Sequence, residues 1–383
     1  MESALPGPSR SPCPPRRRPP LPSRAPSRYD GIVTSFTPTH TADTADAETP
    51  TDAARRTIVL ANPRGFCAGV DRAILTVRRL LEAQATADIP DGLPPVYVRR
   101  QIVHNKHVVA DLAGQGAVFV NELDDIPDEA ARAGIPVVFS AHGVSPAVKQ
   151  EAQRRGLRIV DATCPLVAKV HREVLRYVKD GYDVIYIGHK GHDEAVGVIG
   201  EAPDHVLLIE HAADVDALEP RPGVPLVYLT QTTLSSDETA DIIAALTTRF
   251  PGIAQPPNSD ICYATQNRQH AVKLVAQESD CMVIVGSANS SNSMRLVEVA
   301  RQALLGHGRA GGAHRVDDAG QLDRAWFDDA RTVGVSSGAS VPDELVDGVV
   351  ETLRSWGFDA MRDVQTVEET MHFVPPAAVR ALR

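Results

Sequence analysis

The sequence predicts an α/β protein built from three similar units, and two observations lead to this fold class. From Arg56 onward, short apolar runs alternate with amphipathic stretches, the pattern of strand–helix units that form parallel sheets. Three isolated cysteines also recur at nearly equal intervals, 97 residues from Cys67 to Cys164 and 98 from Cys164 to Cys262. Each lies in a loop that leads into a helix-like stretch. The spacing therefore suggests that each unit delivers one thiolate to a common centre.

The apolar runs predict eight strands, and four helices are predicted after them, the first from its apolar spacing and the other three from their capping residues. The strands are 57–61, 95–98, 136–141, 157–162, 183–188, 225–230, 281–286 and 332–336. The helices are 73–83, 166–178, 242–250 and 345–353. Pro165 fits the first position of a helix, and Ser235 with Glu238 forms a capping box. Ser340 and Asp343 form a similar capping pattern before the last helix.

The cysteine spacing also predicts the domain organisation. Residues 1–56 are rich in Pro, Ser and Arg and lack apolar periodicity, so we expect a disordered tail in which Cys13 has no structural partner. The remaining predicted parts are an α/β domain over 57–160, a second over 161–258, a third over 259–345, and a C-terminal segment, 346–383, that closes over the core.

Composition limits the classes of function and the location. A net charge of −10 argues against a nucleic-acid surface, and the longest apolar runs are too short to cross a membrane. Five scattered cysteines without a secretory signal fit a reducing compartment, so we expect a cytoplasmic protein, as a monomer or weak dimer. The first 28 residues contain six arginines, as transit peptides do, but they lack an amphipathic apolar face. A tail or a misassigned start is the simpler interpretation.

Several loops carry residues suited to phosphate binding and proton transfer. His104, His142, His189 and His192 follow predicted strand ends, where open α/β sheets bind ligands, and Glu194 accompanies the last of them. The loops 230–235, 286–295 and 336–342 are rich in Ser, Thr and Asn, which suit phosphate, although N-capping by serine would explain either of the last two alone. Cys281, by contrast, lies in an apolar strand and is expected to be a small buried side chain.

Nine of these segments, taken together, resemble the 4-hydroxy-3-methylbut-2-enyl diphosphate reductase family, which is of the LytB type. The matching segments are ANPRGFCAGVDRAI, IVHNKHVV, SAHGVSP, DATCPLVAKVH, IGHKGHDEAVGVIGE, TQTTLS, DICYATQNRQ, VGSANSSNSMRL and SSGASVPDELV. They occur in the order of the family, and the resemblance, including the closing VEETMHFVPP, covers about residues 57–372.

The resemblance implies a pseudo-threefold trefoil of α/β domains around a central [4Fe–4S] cluster. Cys67, Cys164 and Cys262 would be its three protein ligands, which leaves one iron open for the hydroxyl group of the substrate. The implied reaction is the reductive dehydroxylation of the allylic diphosphate to isopentenyl and dimethylallyl diphosphates. Electrons would come from ferredoxin or flavodoxin.

The resemblance also assigns roles to polar residues. The catalytic residues would be Glu194, Thr232 and His192. The substrate would be bound by His104, His142, His192, Thr232, Ser290, Ser291, Asn292 and Ser340. Two other interpretations of the cysteines stay open at this point: a zinc-dependent hydrolase or lyase with a Cys₃ site, and a non-enzymatic iron–sulfur sensor.

Overall fold

Strands and helices alternate along the chain, and the strands pair in parallel. The computed structural model describes residues 55–309, 311–380 and 382, so the predictions for residues 1–54, including the tail and Cys13, lie outside the described residues. The strands of the described part are β1 (Thr57–Asn62), β2 (Val96–Arg99), β3 (Ala117–Val120), β4 (Pro136–Phe139), β5 (Arg158–Asp161), β6 (Asp183–Ile187), β7 (Val206–Ile209), β8 (Leu226–Thr230), β9 (Cys281–Val285), β10 (Ala313–Val316), β11 (Thr332–Ser337) and β12 (Ala360–Gln365).

The helices connect these strands. They are α1 (Ala68–Gln84), α2 (Lys106–Gly114), α3 (Asp128–Arg132), α4 (Pro146–Arg154), α5 (Pro165–Lys179), α6 (Asp193–Ile199), α7 (Ser236–Arg249), α8 (Tyr263–Glu278), α9 (Ser291–Gly306), α10 (Asp343–Ser355) and α11 (Ala377–Arg380). Between residues 55 and 382, apart from the undescribed positions, no helix combines the length and apolar character that crossing a bilayer requires.

The strands form three parallel sheets, as the predicted fold class requires. A five-stranded sheet has the order β10-β9-β11-β1-β12, a four-stranded sheet the order β3-β2-β4-β5, and a three-stranded sheet the order β7-β6-β8. Parallel pairing places the carboxyl ends of neighbouring strands at the same edge, so the loops that follow them converge.

One strand departs from the order of the predicted domains. β1 pairs with β11 and β12 rather than with β2, although it begins the segment predicted as the first domain. Its residues Ile58, Val59 and Ala61 are fully buried, as expected for a strand with neighbours on both sides. The helix that follows, α1, packs its Ala73 and Val77 with Val96 and Val98 of β2 instead. The first unit of the sequence therefore contributes to two sheets; the domain boundaries themselves stay predictions.

All eight predicted strands are present, and four strands were not predicted. The missed strands are β3, β7, β10 and β12, and each lies at the edge of its sheet. Edge strands expose one side, and β12 is mostly exposed along its length. The sequences of β10 and β12 contain polar residues and so lack the continuous apolar run that marks a central strand. By contrast, β3 (AVFV) and β7 (VLLI) are apolar throughout and were missed although they carry that signal.

The helix ends follow the predicted caps with one exception. Pro165 is the first residue of α5, and Ser235 caps α7, its Oγ accepting a hydrogen bond from Glu238 N at 3.5 Å. The pattern at Ser340 was wrong as a cap, because α10 is capped at Pro342 instead. The Oγ of Ser340 donates to the carbonyl oxygen of His104 at 3.0 Å, so tertiary contact takes precedence over the local pattern.

Candidate active site

Loops from all three sheets line one cavity of about 750 Å³, a volume that includes the solvent at its mouth. All twelve predicted site residues lie among those that line it: Cys67, His104, His142, Cys164, His192, Glu194, Thr232, Cys262, Ser290, Ser291, Asn292 and Ser340. His189 does not line this cavity, and its ring instead contacts the guanidinium of Arg295. The structure thus brings the predicted residues together, while their individual roles stay predictions.

Each of the three cysteines is the residue that caps a helix. Cys67 precedes α1, Cys164 precedes α5 and Cys262 precedes α8. Helix N-termini carry partial positive charge and free N–H groups, both of which favour a thiolate. The Sγ of Cys262 also accepts a hydrogen bond from Thr265 N at 3.3 Å.

Gly69 provides space between two of these cysteines. A Cβ atom at this position would lie 2.6 Å from Cys164 Sγ and 3.9 Å from Cys67 Sγ. No real Cβ contact is as short as the first distance, so a side chain here would displace the sulfur of Cys164. The absence of a side chain lets two sulfurs approach the same turn of α1.

Burial is the main influence on the pKa of two of these thiols, although the charge of Arg268 favours the thiolate of Cys262. Burial, with the charge of Cys67 adding to it, raises the pKa of Cys164 to about 12 and that of Cys262 to about 11. A bound metal centre would reverse this preference, because a coordinated thiol is deprotonated. The cysteines therefore suit ligands of a metal group better than free nucleophiles.

The cysteines provide three sulfur donors at the N-termini of three helices around one cavity. Thiolates are the donors that hold iron–sulfur clusters. Within the described residues, no group of three His, Cys, Asp or Glu side chains is placed to hold a single metal ion. The chemistry of these donors therefore fits an iron–sulfur group.

Glu194 is a buried carboxylic acid with two hydrogen bonds from one residue. Its Oε1 accepts from Thr232 N and its Oε2 from Thr232 Oγ1, each at 2.8 Å. Burial, with a smaller contribution from the charge of Asp260, raises its pKa to about 7, although the Thr232 donors act in the opposite direction. A carboxyl group with this pKa can hold and release a proton near neutral pH.

Three imidazole rings form a cluster beside Glu194. The rings of His104 and His142 are stacked with centroids 4.0 Å apart, and the ring of His192 meets them edge-on at 5.3 and 5.7 Å. Burial lowers the pKa of His104. Burial and the charge of His104 together lower the pKa of His192 to about 4 and hold the pKa of His142 well below its usual value. These shifts favour the neutral form of all three rings near neutral pH.

Hydroxyl and amide groups around the start of α9 line another side of the cavity. Ser290 caps this helix, its Oγ accepting from Ser293 N at 3.3 Å, so the capping alternative is correct for this residue. Asn292 is different, because both polar atoms of its amide are buried and have no hydrogen-bond partner among the described residues. Buried amides are almost always paired. The amide of Asn292 therefore keeps hydrogen-bonding capacity that no other described residue uses.

Some cavity residues were not found by reasoning from the sequence. Phe373 comes from the C-terminal segment, whose backbone is held where Val374 O accepts from Arg72 Nε at 2.9 Å. No local pattern marks this contact. Thr265 and Gly69 follow their cysteines by three and two residues, and helix-cap geometry is the signal that could have found them.

A fully buried arginine joins the segments behind the cysteines. Arg268 donates to Gly65 O at 2.8 Å and to Ala264 O at 3.0 Å, which lie close in sequence to Cys67 and Cys262 respectively. It also pairs with Glu369 of the C-terminal segment at 3.1 Å. Two cysteine loops and the covering segment are therefore fixed to one side chain.

Fold and cavity together define the class: an α/β enzyme in which three cysteine-capped helices and a buried acid surround one cavity. The chain belongs to the LytB protein family, since residues 58–354 match the model of that family.

Individual relatives agree with this family assignment. The 4-hydroxy-3-methylbut-2-enyl diphosphate reductase of Bifidobacterium longum is 69% identical over 328 residues, which cover 85% of this chain and 92% of the relative. The reductase of the same name from Mycolicibacterium paratuberculosis is 53% identical, with 86% and 94% covered. A solved structure of the E-1-hydroxy-2-methyl-but-2-enyl-4-diphosphate reductase from Plasmodium falciparum superposes with a TM-score of 0.77 at 36% identity, covering 85% of this chain and 97% of that one.

Proposed function

We propose that this chain reduces (E)-4-hydroxy-3-methylbut-2-enyl diphosphate to isopentenyl and dimethylallyl diphosphates, the last step of the non-mevalonate isoprenoid pathway. The names of its relatives support this substrate. The observation that carries the proposal is that three cysteine-capped helices, a buried acid with a pKa of about 7 and an unpaired amide face one cavity. Family membership favours this reaction over the zinc hydrolase and the sensor.

We propose that Cys67, Cys164 and Cys262 hold a [4Fe–4S] cluster. The space beside Gly69 and the helix N-termini support this assignment. When bound, the cluster would supply single electrons and one iron without a protein ligand as a Lewis acid.

The diphosphate would be bound by the imidazoles and the hydroxyl and amide groups. His104, His142 and His192 would donate N–H groups to the phosphate oxygens, and Asn292 would find there the partner that its amide lacks. Ser290, Ser291 and Ser340 would complete the polar wall. An anion would also raise the pKa of the neutral imidazoles, so their charge could follow that of the substrate.

Glu194 would supply the proton with which the substrate hydroxyl leaves as water. The reaction consumes two electrons and two protons: one proton departs in water and the other is added to the allylic carbon skeleton. Thr232 donates two hydrogen bonds to the carboxyl of Glu194, and the two residues together would deliver the proton. Burial keeps Glu194 partly protonated at neutral pH, as a general acid requires.

We infer that electrons come from a ferredoxin or flavodoxin in the cytoplasm. The sequence contains no nucleotide-binding or flavin-binding fingerprint of its own, and its cysteines are not arranged in local pairs. A monomer or weak dimer stays the expected state.

The experiment is an anaerobic assay of protein purified with its iron and sulfide. With a reduced electron carrier and the allylic diphosphate, we expect brown protein that forms both isopentenyl and dimethylallyl diphosphates. Cluster-loaded protein without turnover would reject the proposed reaction, and colourless zinc-containing protein that hydrolyses a substrate would support the zinc alternative.

A further inference from the structure

Arg100 has a backbone conformation that differs from that of every other described non-glycine residue, with a φ of +57°. This left-handed region is disfavoured for residues that carry a Cβ atom, so the surrounding contacts must hold Arg100 there. It directly follows β2, and its N–H donates to Val120 O at 2.6 Å. The turn sets the direction in which the side chain leaves the four-stranded sheet.

The guanidinium of Arg100 reaches the first residue of α6. Its Nη1 pairs with Asp193 Oδ1, and its Nη2 pairs with Glu122 Oε1 at 2.9 Å. The preceding Arg99 also binds Glu122, at 2.5 Å, so Glu122 is shared between the two arginines. The contact of Arg100 with Asp193 thus joins the four-stranded sheet to the start of α6, the helix that follows β6 of the three-stranded sheet.

The next residue, Gln101, contacts the loop that precedes α9 of the five-stranded sheet. Gln101 Oε1 accepts a hydrogen bond from Asn289 Nδ2 at 2.7 Å, and Asn289 immediately precedes Ser290. Two consecutive residues of one turn therefore contact the cavity loops of both other sheets.

Asp193 lies between two residues of the cavity. His192 caps α6, its Nδ1 accepting from Glu194 N at 3.2 Å, and Glu194 is the second residue of the helix. Because α6 has only seven residues, its own hydrogen bonds do little to fix its first turn. We infer that Arg100 is a positioning residue that fixes the His192–Glu194 turn through Asp193 and so sets where the acid meets the substrate.

This inference rests on the proposed role of Glu194, and it is tested first with Arg100→Gly. Glycine adopts the left-handed conformation freely, so the variant removes the guanidinium without adding strain. We expect kcat to fall about tenfold, because small misplacements of a reacting group are costly. The thermal midpoint should stay unchanged. KM and the affinity for inorganic diphosphate should change less than kcat, since His192 is the one proposed diphosphate contact in this turn and the others lie on other loops.

Two further variants isolate the contact. Asp193→Asn should lower kcat as much as Arg100→Gly, and the double variant should be no slower than either single variant, because both remove the same ion pair. Glu122→Gln is the matched control: it removes the shared partner, leaves Asp193 paired, and should keep the kcat of the unchanged protein.

Three results would overturn the inference: an unchanged kcat in Arg100→Gly, losses that multiply in the double variant, or a fall in kcat matched by a lower thermal midpoint. Glu194→Gln separates this failure from that of the proposed function. If Glu194→Gln were fully active, the role of the acid would be wrong; if it were inactive while Arg100→Gly was fully active, only the role of Arg100 would be rejected.

Discussion

Replacing Thr232 with valine removes one of the two hydrogen bonds that Glu194 accepts from this residue. The lost bond runs from Thr232 Oγ1 to Glu194 Oε2 at 2.8 Å, while the bond from Thr232 N is kept. A hydrogen bond to a charged group contributes about 1.5–3 kcal/mol, and one pKa unit corresponds to about 1.4 kcal/mol. Because the donor stabilises the carboxylate, its removal should raise the pKa of Glu194 by about 1–2 units above the value of about 7.

The assay is the pH dependence of kcat/KM, which reports groups of the free enzyme. If Glu194 acts as an acid, kcat/KM falls as this group loses its proton, above about pH 7 in the unchanged protein. In Thr232→Val the fall in kcat/KM should begin about 1–2 pH units higher. This shift does not depend on the maximal value of kcat/KM. Ionisation of the substrate affects both proteins alike.

Thr233→Val provides the matched control for this shift. Thr233 lines the same cavity, but its Oγ1 donates to Ser291 Oγ at 2.9 Å rather than to the carboxyl. Its pH profile should keep the midpoint of the unchanged protein. A midpoint in Thr232→Val at or below that value would refute the assignment of the titration to Glu194.

Three other predictions address stability, the cluster and the diphosphate. Glu194→Gln should keep the cluster and substrate binding but lose most turnover. Burial raises the pKa of Glu194 from 4.5 to about 7, so the protonated form is favoured in the folded state. The free energy of unfolding therefore falls by about 3 kcal/mol as the pH rises from 4.5 to 7. Glu194→Gln removes this dependence, so it should be more thermally stable than the unchanged protein at pH 8 but not at pH 4. Cys164→Ser should lose iron and sulfide. Asn292→Ala should weaken the binding of inorganic diphosphate by about tenfold, measured by calorimetry.

Each of these predictions has a control or a result that contradicts it. Equal stability differences between Glu194→Gln and the unchanged protein at the two pH values would mean that Glu194 does not titrate as described. Cys281→Ser alters a buried cysteine of β9 and should keep its iron, whereas unchanged iron in Cys164→Ser would reject the ligand role. An unchanged affinity for inorganic diphosphate in Asn292→Ala would reject the proposed role of its amide.

Central strands and helix starts could be predicted because their signals are local. A strand with neighbours on both sides is apolar along its whole length, and residues such as Pro165 and Ser235 mark the beginnings of helices by their own chemistry. The edge strands β10 and β12 could not be predicted in this way, since their polar residues interrupt the apolar run, whereas the edge strands β5 and β8 were predicted. Ser340 is the opposite case: its local pattern predicted a cap, but a contact with the distant His104 determines its role.

The sequence by itself determined the class of fold, the three cysteine loops and twelve of the residues that line the cavity, because short motifs keep the chemical identity of a site. Only the tertiary structure decided how β1 pairs with β11 and how much burial raises the pKa of Glu194. It alone placed the guanidinium of Arg100 against Asp193. Strand pairing, desolvation and ion pairs between sheets depend on residues far apart in the chain, and no local pattern encodes such distances.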